Sequence, residues 1–266
     1  MPYIKTRQNL IWHYKLKGKG KALLFIHGWG ADLGVWQQQL DFFSKHYKTV
    51  AVDLPGHGMS GWRKIALEGL SKDINFILNK IGIDRLTIIA ASLGGLIALK
   101  FASMFPERLE RLILVDTAAR FPCENEKEGI TKAEIKKLSN LLDKDFTRAL
   151  LYFARSIFTN EERRMYDYKK GWDILTRRII LPQKRALKEY LRILEVEDLS
   201  AILPQIKVNT LIINGEKDYI CSPQKAKMLR NALPAAQLKI VKNCGHLPFL
   251  SQPKIFNQIL EEFLKT

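Results

Sequence analysis

The sequence predicts an α/β protein: a mostly parallel central sheet flanked by helices, with a helical cap inserted into it. Three observations carry this. Short apolar runs alternate with amphipathic helical patterns along most of the chain, as parallel strands joined by crossover helices require. Each Gly-rich or polar cluster follows directly on one of those runs, at the strand end where open α/β sheets place their sites. One long segment, from about Ala119 to about Leu199, breaks the alternation and repeats its apolar residues at helical spacing.

Taken in order, Tyr3–Tyr14 is expected to form an antiparallel edge hairpin. Leu23–Ile26 reads as a buried strand ending in His27-Gly28-Trp29-Gly30, and Thr49–Val52 as a second, ending in Asp53-Leu54-Pro55-Gly56-His57-Gly58. Leu86–Ala90 precedes Ser92, and Leu112–Val115 precedes Asp116. Thr210–Ile213 leads into Asn214-Gly215-Glu216-Lys217-Asp218, and Leu238–Val241 into Asn243-Cys244-Gly245-His246. Helices are expected over Ala66–Ile81, Leu93–Phe105, Pro223–Ala232 and Pro253–Leu264. In the irregular segment, Leu138, Leu141 and Leu142, then Leu150, Leu151, Phe153 and Ile157, predict cap helices, with Pro122 and Pro204 near the margins. The division is a core of residues 1–118 and 200–266 with a cap of residues 119–199.

The 266 residues suit one large domain, and 47% hydrophobic content supplies a core. The first residues lack the apolar stretch and cleavage site of a signal peptide, and no run is long enough to span a membrane. Cys123, Cys221 and Cys244 are an odd number without metal-like spacing, so free thiols in a reducing cytoplasm are expected. The charge is unusual: 43 basic against 27 acidic residues, net +16. It serves either solubility or an acidic partner. No helix-turn-helix, zinc finger or aromatic-studded strand accompanies it, so nucleic acid is not the expected partner.

Ala90-Ala91-Ser92-Leu93-Gly94-Gly95 lies between a β-rich run and an Ala/Leu helix. A serine hydroxyl is a weak nucleophile and must be exposed beside a base; a tight strand-to-helix turn does this and needs small neighbours on either side. Gly94 meets that need, whereas Ala90 stands where glycine is more usual. Alone, Ser92 could instead cap an ordinary helix.

Of five histidines, His246 has the context of a general base, on a loop just past a strand. His13 and His46 are expected at the surface, and His27 and His57 as braces of their own loops. The orienting acid should follow a strand between serine and histidine. Asp218 is the first choice, with Asp116 its rival; Asp53 precedes the serine and is expected to tie down its own loop. The order Ser92, Asp218, His246 is that of a nucleophile, an orienter and a base in one known strand-end arrangement. Two N–H donors must face the developing oxyanion: the backbone of Leu93, and that of Trp29 between two glycines.

Together these motifs resemble the α/β-hydrolase family across nearly the whole chain. Within it, the sequence is similar to the pimeloyl-[acyl-carrier-protein] methyl ester esterases of biotin synthesis. The likeness rests on His27-Gly28-Trp29-Gly30 with Val35-Trp36, on Val52 through Ser60, on Ser92-Leu93-Gly94-Gly95-Leu96, on Leu191–Leu199 and on Gly245 through Pro253. It is close in the core and loose in the cap, and Ala91 replaces an aromatic residue common before the serine.

The resemblance implies an α/β-hydrolase fold and hydrolysis of a methyl ester on an acyl chain carried by acidic acyl carrier protein, with no metal or organic cofactor. It gives the basic balance a purpose: Lys132 to Arg192 holds 16 basic and 8 acidic residues, an excess of +8. Lys136, Lys137, Arg148, Arg155, Arg163 and Arg164 are the expected docking residues, or else a solvated helical face. Phe146, Tyr152 and Phe153 are the expected channel lining, or else cap core. A monomer is expected. The alternatives are a broad short-chain carboxylesterase, a C–C bond hydrolase of the same fold, or a non-enzymatic ligand receptor.

Overall fold

The computed structural model describes residues 2–124, 128–164, 166–176 and 180–265. Eight strands form one sheet: β1 (Tyr3–Lys5), β2 (Ile11–Lys17), β3 (Ala22–Ile26), β4 (Lys48–Val52), β5 (Leu86–Ala91), β6 (Leu109–Val115), β7 (Thr210–Gly215) and β8 (Ala236–Val241). Their order is β1-β2-β4-β3-β5-β6-β7-β8. The hairpin β1–β2 and the β2–β4 pair are antiparallel, and every later pair is parallel.

Side chains on the parallel strands alternate between two apolar layers, as a period of two demands. Leu24 and Ile26 of β3, Ile88 and Ala90 of β5, and Leu112 and Leu114 of β6 enter one layer. Leu23, Phe25, Ile89, Ala91, Ile113 and Val115 enter the other. Burial on both faces explains why these strands read as unbroken apolar runs.

The helices flanking the sheet are α1 (Gln37–Phe43), α2 (Leu67–Lys80), α3 (Leu93–Met104), α8 (Pro223–Ala232) and, after the last strand, α10 (Pro253–Lys265), preceded by the single turn α9 (Pro248–Ser251). Leu70, Ile74 and Ile77 of α2 pack with Leu96, Leu99 and Phe101 of α3 on the first layer. Leu40 and Phe43 of α1 meet Phe256, Leu260 and Phe263 of α10 on the second. That side is tied by aromatic contact: Trp36 stacks on Phe249 at 4.0 Å between centroids.

Between β6 and β7 the chain forms α4 (Lys132–Lys144), α5 (Phe146–Ile157), α6 (Tyr166–Thr176) and α7 (Lys184–Val196). Thr131 and Glu134 form a reciprocal capping box at the start of α4, and Asp145 caps α5. The inner faces of α4, α5 and α7 contribute Ile135, Leu138, Leu142, Ala149, Leu187 and Leu191 to the first apolar layer, so these helices are built onto the sheet's core rather than beside it. Among the described residues, no helix is long and apolar enough to cross a membrane.

His13 corrects a sequence expectation. It is buried, not at the surface, with Nδ1 2.7 Å from Asp53 Oδ2. Asp53 also accepts the Leu33 and Met59 backbone N–H groups at 2.8 and 2.9 Å. A carboxylate with several donors tolerates burial, so it holds β2 and two strand-end loops together.

Candidate active site

Four non-glycine residues among those described adopt positive φ: Asn9, Ser92, Asp116 and Asn243. The last three stand just beyond strands β5, β6 and β8, all at the C-terminal ends of the parallel strands. Such backbone costs of order 1–3 kcal/mol per residue and persists where the surroundings over-determine it.

Ser92 carries the sharpest turn, with φ 53° and ψ −120° between β5 and α3. Its N–H donates to the Val115 carbonyl at 2.9 Å, and its carbonyl accepts from Thr117 Oγ1 at 2.7 Å. The turn brings α3 hard against β3: a Cβ on Gly94 would lie 2.7 Å from both the Ile26 and the His27 carbonyl oxygens. The Ala90 methyl group points instead into the first apolar layer, so glycine is needed after the serine and not before it. Gly94→Ala is expected to cost about 2 kcal/mol, the scale of overpacking against unyielding backbone. An unfolding midpoint equal to that of the unmodified protein would contradict this close approach.

Opposite Ser92, the loop after β8 presents His246. Its Nδ1 lies 2.8 Å from Asp218 Oδ2, with both side chains almost wholly buried. A carboxylate can only accept, so the imidazole proton sits on Nδ1 and Nε2 is left as an acceptor. Nε2 is buried without a hydrogen-bond partner. The other Asp218 oxygen accepts the Ile220 and Cys221 N–H groups at 2.8 and 3.1 Å, which fixes the carboxylate plane. Ser92 and His246 line one cavity of about 20 Å³ together with Gly28, Trp29 and Phe153. The sequence-predicted serine, acid and histidine are thus brought to one point.

The two expected N–H donors flank it. Leu93 is the first residue of α3, so its N–H has no helical acceptor. A Cβ on Gly28 would lie 3.1 Å from the Ser92 Cβ, which sets the backbone before Trp29 directly against the serine. The Trp29 ring is anchored by its Nε1–H to the Leu187 carbonyl at 2.9 Å. His27 and His57 brace this loop: His27 Nε2 accepts the Leu54 N–H at 2.9 Å, and His57 Nε2 that of Gly30 at 3.2 Å. Burial pushes the Cys221 and Cys244 thiols well above their ordinary range, so neither competes as a nucleophile.

The sequence matches the family described as alpha/beta hydrolase fold over residues 21–253. The chain belongs to the α/β-hydrolase family. This α/β hydrolase is 32% identical over 251 residues to a pimeloyl-[acyl-carrier protein] methyl ester esterase of Nitrosomonas europaea, covering 92% of this chain and 96% of the relative. A protein of the same name from Photobacterium profundum is 31% identical over 95% of this chain and 98% of its own. Among solved structures, an esterase from Exiguobacterium antarcticum superposes with a TM-score of 0.90 at 24% identity, covering 99% of both chains. That likeness establishes the fold.

In this α/β hydrolase, helices α4 to α7 lie over the serine. Trp29 packs edge-on against Phe153 at 4.7 Å. An apolar cavity of about 20 Å³ beside Ser92 is lined by Phe121, Ile135, Leu138, Leu191 and Ile220. A larger one, about 70 Å³, runs outward from Trp29 between α5 and α6 along Leu150, Leu151 and Leu175. It shares Thr147 and Leu151 with an open groove of about 440 Å³ lined by Arg148, Tyr152 and Arg155. The most voluminous of the described cavities, about 860 Å³, lies instead between Arg120, Asp198 and Met228 and includes none of Ser92, Asp218 and His246.

Of the three expected channel residues, Phe153 lines the cavities at Ser92. Tyr152 lines the outer groove and not those cavities: it points outward from α5, 40% exposed, with the Lys137 ammonium 5.7 Å from its ring centroid. Phe146 lies two turns, about 10 Å, before Phe153 along α5 and packs partly buried against the first apolar layer, the core alternative to a channel position. The six basic residues Lys136, Lys137, Arg148, Arg155, Arg163 and Arg164 are all exposed. Arg148, Tyr152 and Arg155 fall at i, i+4 and i+7 on one helical stripe, which Lys137 reaches from α4. Arg163 extends it by donating to the Arg155 carbonyl at 2.6 Å.

Sequence reasoning missed how α5 touches His246. The His246 backbone N–H donates to the Ile157 carbonyl, the last residue of α5, at 2.9 Å. Glu162 is buried beside Gly245, where a Cβ would lie 2.9 Å from its Oε2. The signal was present as Thr159 followed three residues later by Glu162, which exchange backbone and side-chain hydrogen bonds at 2.7 and 3.1 Å.

Proposed function

We propose that this α/β hydrolase is a serine carboxylesterase that removes the methyl group from a pimeloyl chain attached to acyl carrier protein, the biotin-synthesis step its likeness implies. Ser92 is the nucleophile, His246 the general base and Asp218 its orienter. The observation that carries the chemistry is the buried, partnerless Nε2 of His246, held by Asp218 in a cavity it shares with Ser92. The curated relatives named for this ester support the substrate.

Ser92 Oγ attacks the ester carbonyl while His246 Nε2 takes its proton, and the N–H groups of Leu93 and Trp29 receive the oxyanion. The tetrahedral adduct collapses, His246 returns the proton to the departing methoxide, and methanol leaves. Water, deprotonated by the same Nε2, then attacks the acyl-enzyme and releases the acid and Ser92. No step draws on a metal or cofactor.

Residues 119–199 act as the cap, over a core of 1–118 and 200–266. The chain enters from the Arg148–Arg155 groove, passes Leu150 and Leu151, and reaches Ser92 at Phe153 and Trp29. The closed cavities are far smaller than the several hundred Å³ of an occupied ligand pocket, so the cap helices part to admit substrate. An acidic carrier docks on the stripe of Lys137, Arg148, Arg155 and Arg163, with Lys136 and Arg164 at its margins. A cytoplasmic monomer belongs to the same reading.

The test is hydrolysis of pimeloyl-carrier methyl ester against short p-nitrophenyl esters, with rescue of a biotin auxotroph lacking its esterase. Turnover of the short esters without carrier turnover or rescue would leave a generic carboxylesterase. Reversing Arg148 and Arg155 to glutamate is expected to raise KM for the carrier substrate roughly tenfold at low salt, chiefly by losing electrostatic attraction. An equal change with p-nitrophenyl acetate would refute docking there.

A further inference from the structure

We propose that Asp116 is a positioning residue of this reaction, a neutral carboxylic acid that donates its proton to the Asp218 carboxylate and so fixes the acceptor that orients His246. The proposal rests on the reading of Ser92, Asp218 and His246 as the reacting set.

Asp116 stands immediately past β6, in left-handed backbone at φ 46°. It is completely buried, and its Oδ1 accepts the Gly215 N–H at 2.8 Å. That bond turns the carboxyl toward the end of β7, where Asp218 begins its turn. The second oxygen, Oδ2, is buried with no donor. Asp116, Asp218 and His246 each present an atom within 4.8 Å of the others. On Asp218, one oxygen is saturated by two backbone N–H groups and the other holds His246, leaving a lone pair toward Asp116.

Two carboxyl groups meeting away from water cannot both be ionised, so one holds a proton. Asp218 has three donors to stabilise its charge, whereas Asp116 has one. The proton therefore belongs to Asp116. Burial first, and the Asp218 charge second, hold its carboxyl well above the ordinary carboxylate range. The other groups facing it agree in sign. Glu162, from the turn after α5, adds negative charge, and Cys221 and Cys244 are held as thiols. His246 lies beyond Asp218, at the far end of the relay.

The consequence is a carboxylate gripped from both sides. The Asp116 donor stops Asp218 from rotating away from Nδ1, and it withdraws some charge from Asp218. Without it, the full charge of Asp218 would stabilise the imidazolium formed during the reaction more strongly.

Three measurements test this. Asp116→Ala is expected to lower kcat about tenfold with little change in KM. It should also move the acid limb of kcat/KM upward by about half a pH unit or more. Asp116→Asn keeps a donor toward Asp218 and an acceptor for Gly215, and is expected to retain kcat within about twofold and the original acid limb. In the unmodified protein, carboxyl 13C NMR should show the Asp116 carbon, assigned by its loss in Asp116→Asn, still protonated at neutral pH.

Stability adds a sign. The proton is held in the fold but lost from the unfolded chain at ordinary carboxylate pH. This contribution is therefore full below that range and lost as pH rises toward the raised value. Asp116→Asn should not show that loss.

An unchanged Asp116→Ala enzyme, an Asp116→Asn enzyme as impaired as Asp116→Ala, or an Asp116 carbon ionised at neutral pH would each overturn the proposal. If Asp116→Ala does not fold, the amide variant and the spectrum decide. If the unmodified protein hydrolyses no ester, the reading of the site fails, while the spectrum still judges the carboxyl pair.

Discussion

Replacing Ser92 with alanine is expected to lower ester hydrolysis by a factor on the order of 10⁵ to 10⁶ and to abolish labelling by a fluorophosphonate. The loss should be this large because no neighbouring group can take over the attack. The two buried thiols close to the site, Cys221 and Cys244, are held protonated, and Thr117 spends its hydroxyl on the Ser92 carbonyl. The residual rate would come from the Leu93 and Trp29 N–H groups acting on bound ester and water. Folding should be nearly untouched, since alanine keeps the Cβ and the two backbone bonds of the turn. Undiminished turnover in a well-folded Ser92→Ala protein would remove the serine mechanism altogether.

The strand ends were the most legible part of this protein, for a physical reason. A strand buried on both faces must be apolar at every position, and it must stop where polar groups begin. Leu23–Ile26 and Leu86–Ala90 were therefore readable almost to the residue beside β3 and β5. Where one end of a strand meets solvent, the signal fades: Glu110 and Arg111 concealed the first half of β6, and the exposed alternate positions of β8 concealed its start. The edge strand hid His13 in a different way. A histidine beside alternating polar residues looks exposed unless its acid, 40 positions away, can be seen.

The cap was legible as helices but not as a surface. Helical spacing separates buried from exposed positions only when the location of the partner is known. Leu150, Phe153 and Ile157 face the site whereas Tyr152, one position from Phe153, faces away. Spacing likewise gave Asp116 and Asp218 the same context, each past a parallel strand. Their pairing became visible only with β6 and β7 side by side, where the Gly215 N–H reaches Asp116. The two acids were rivals in sequence because they are neighbours in space.

That adjacency sharpens the second large effect. Asp218→Asn is expected to reduce kcat by a factor on the order of 10³ to 10⁴ while conserving the fold. The amide oxygen would remain bonded to the Ile220 and Cys221 N–H groups, because only an acceptor can face two donors. The amide nitrogen must then face His246 Nδ1 and donate to it. The imidazole would be forced into the tautomer with its proton on Nε2, which points a donor at the serine and removes the base. Asp218→Ala should be less impaired than Asp218→Asn if the tautomer is the cause, because alanine imposes none. Comparing the two at one pH, with fluorophosphonate labelling rate as a second readout, separates the tautomer from simple loss of charge. Equal rates for the two variants would mean that Asp218 acts by its charge alone.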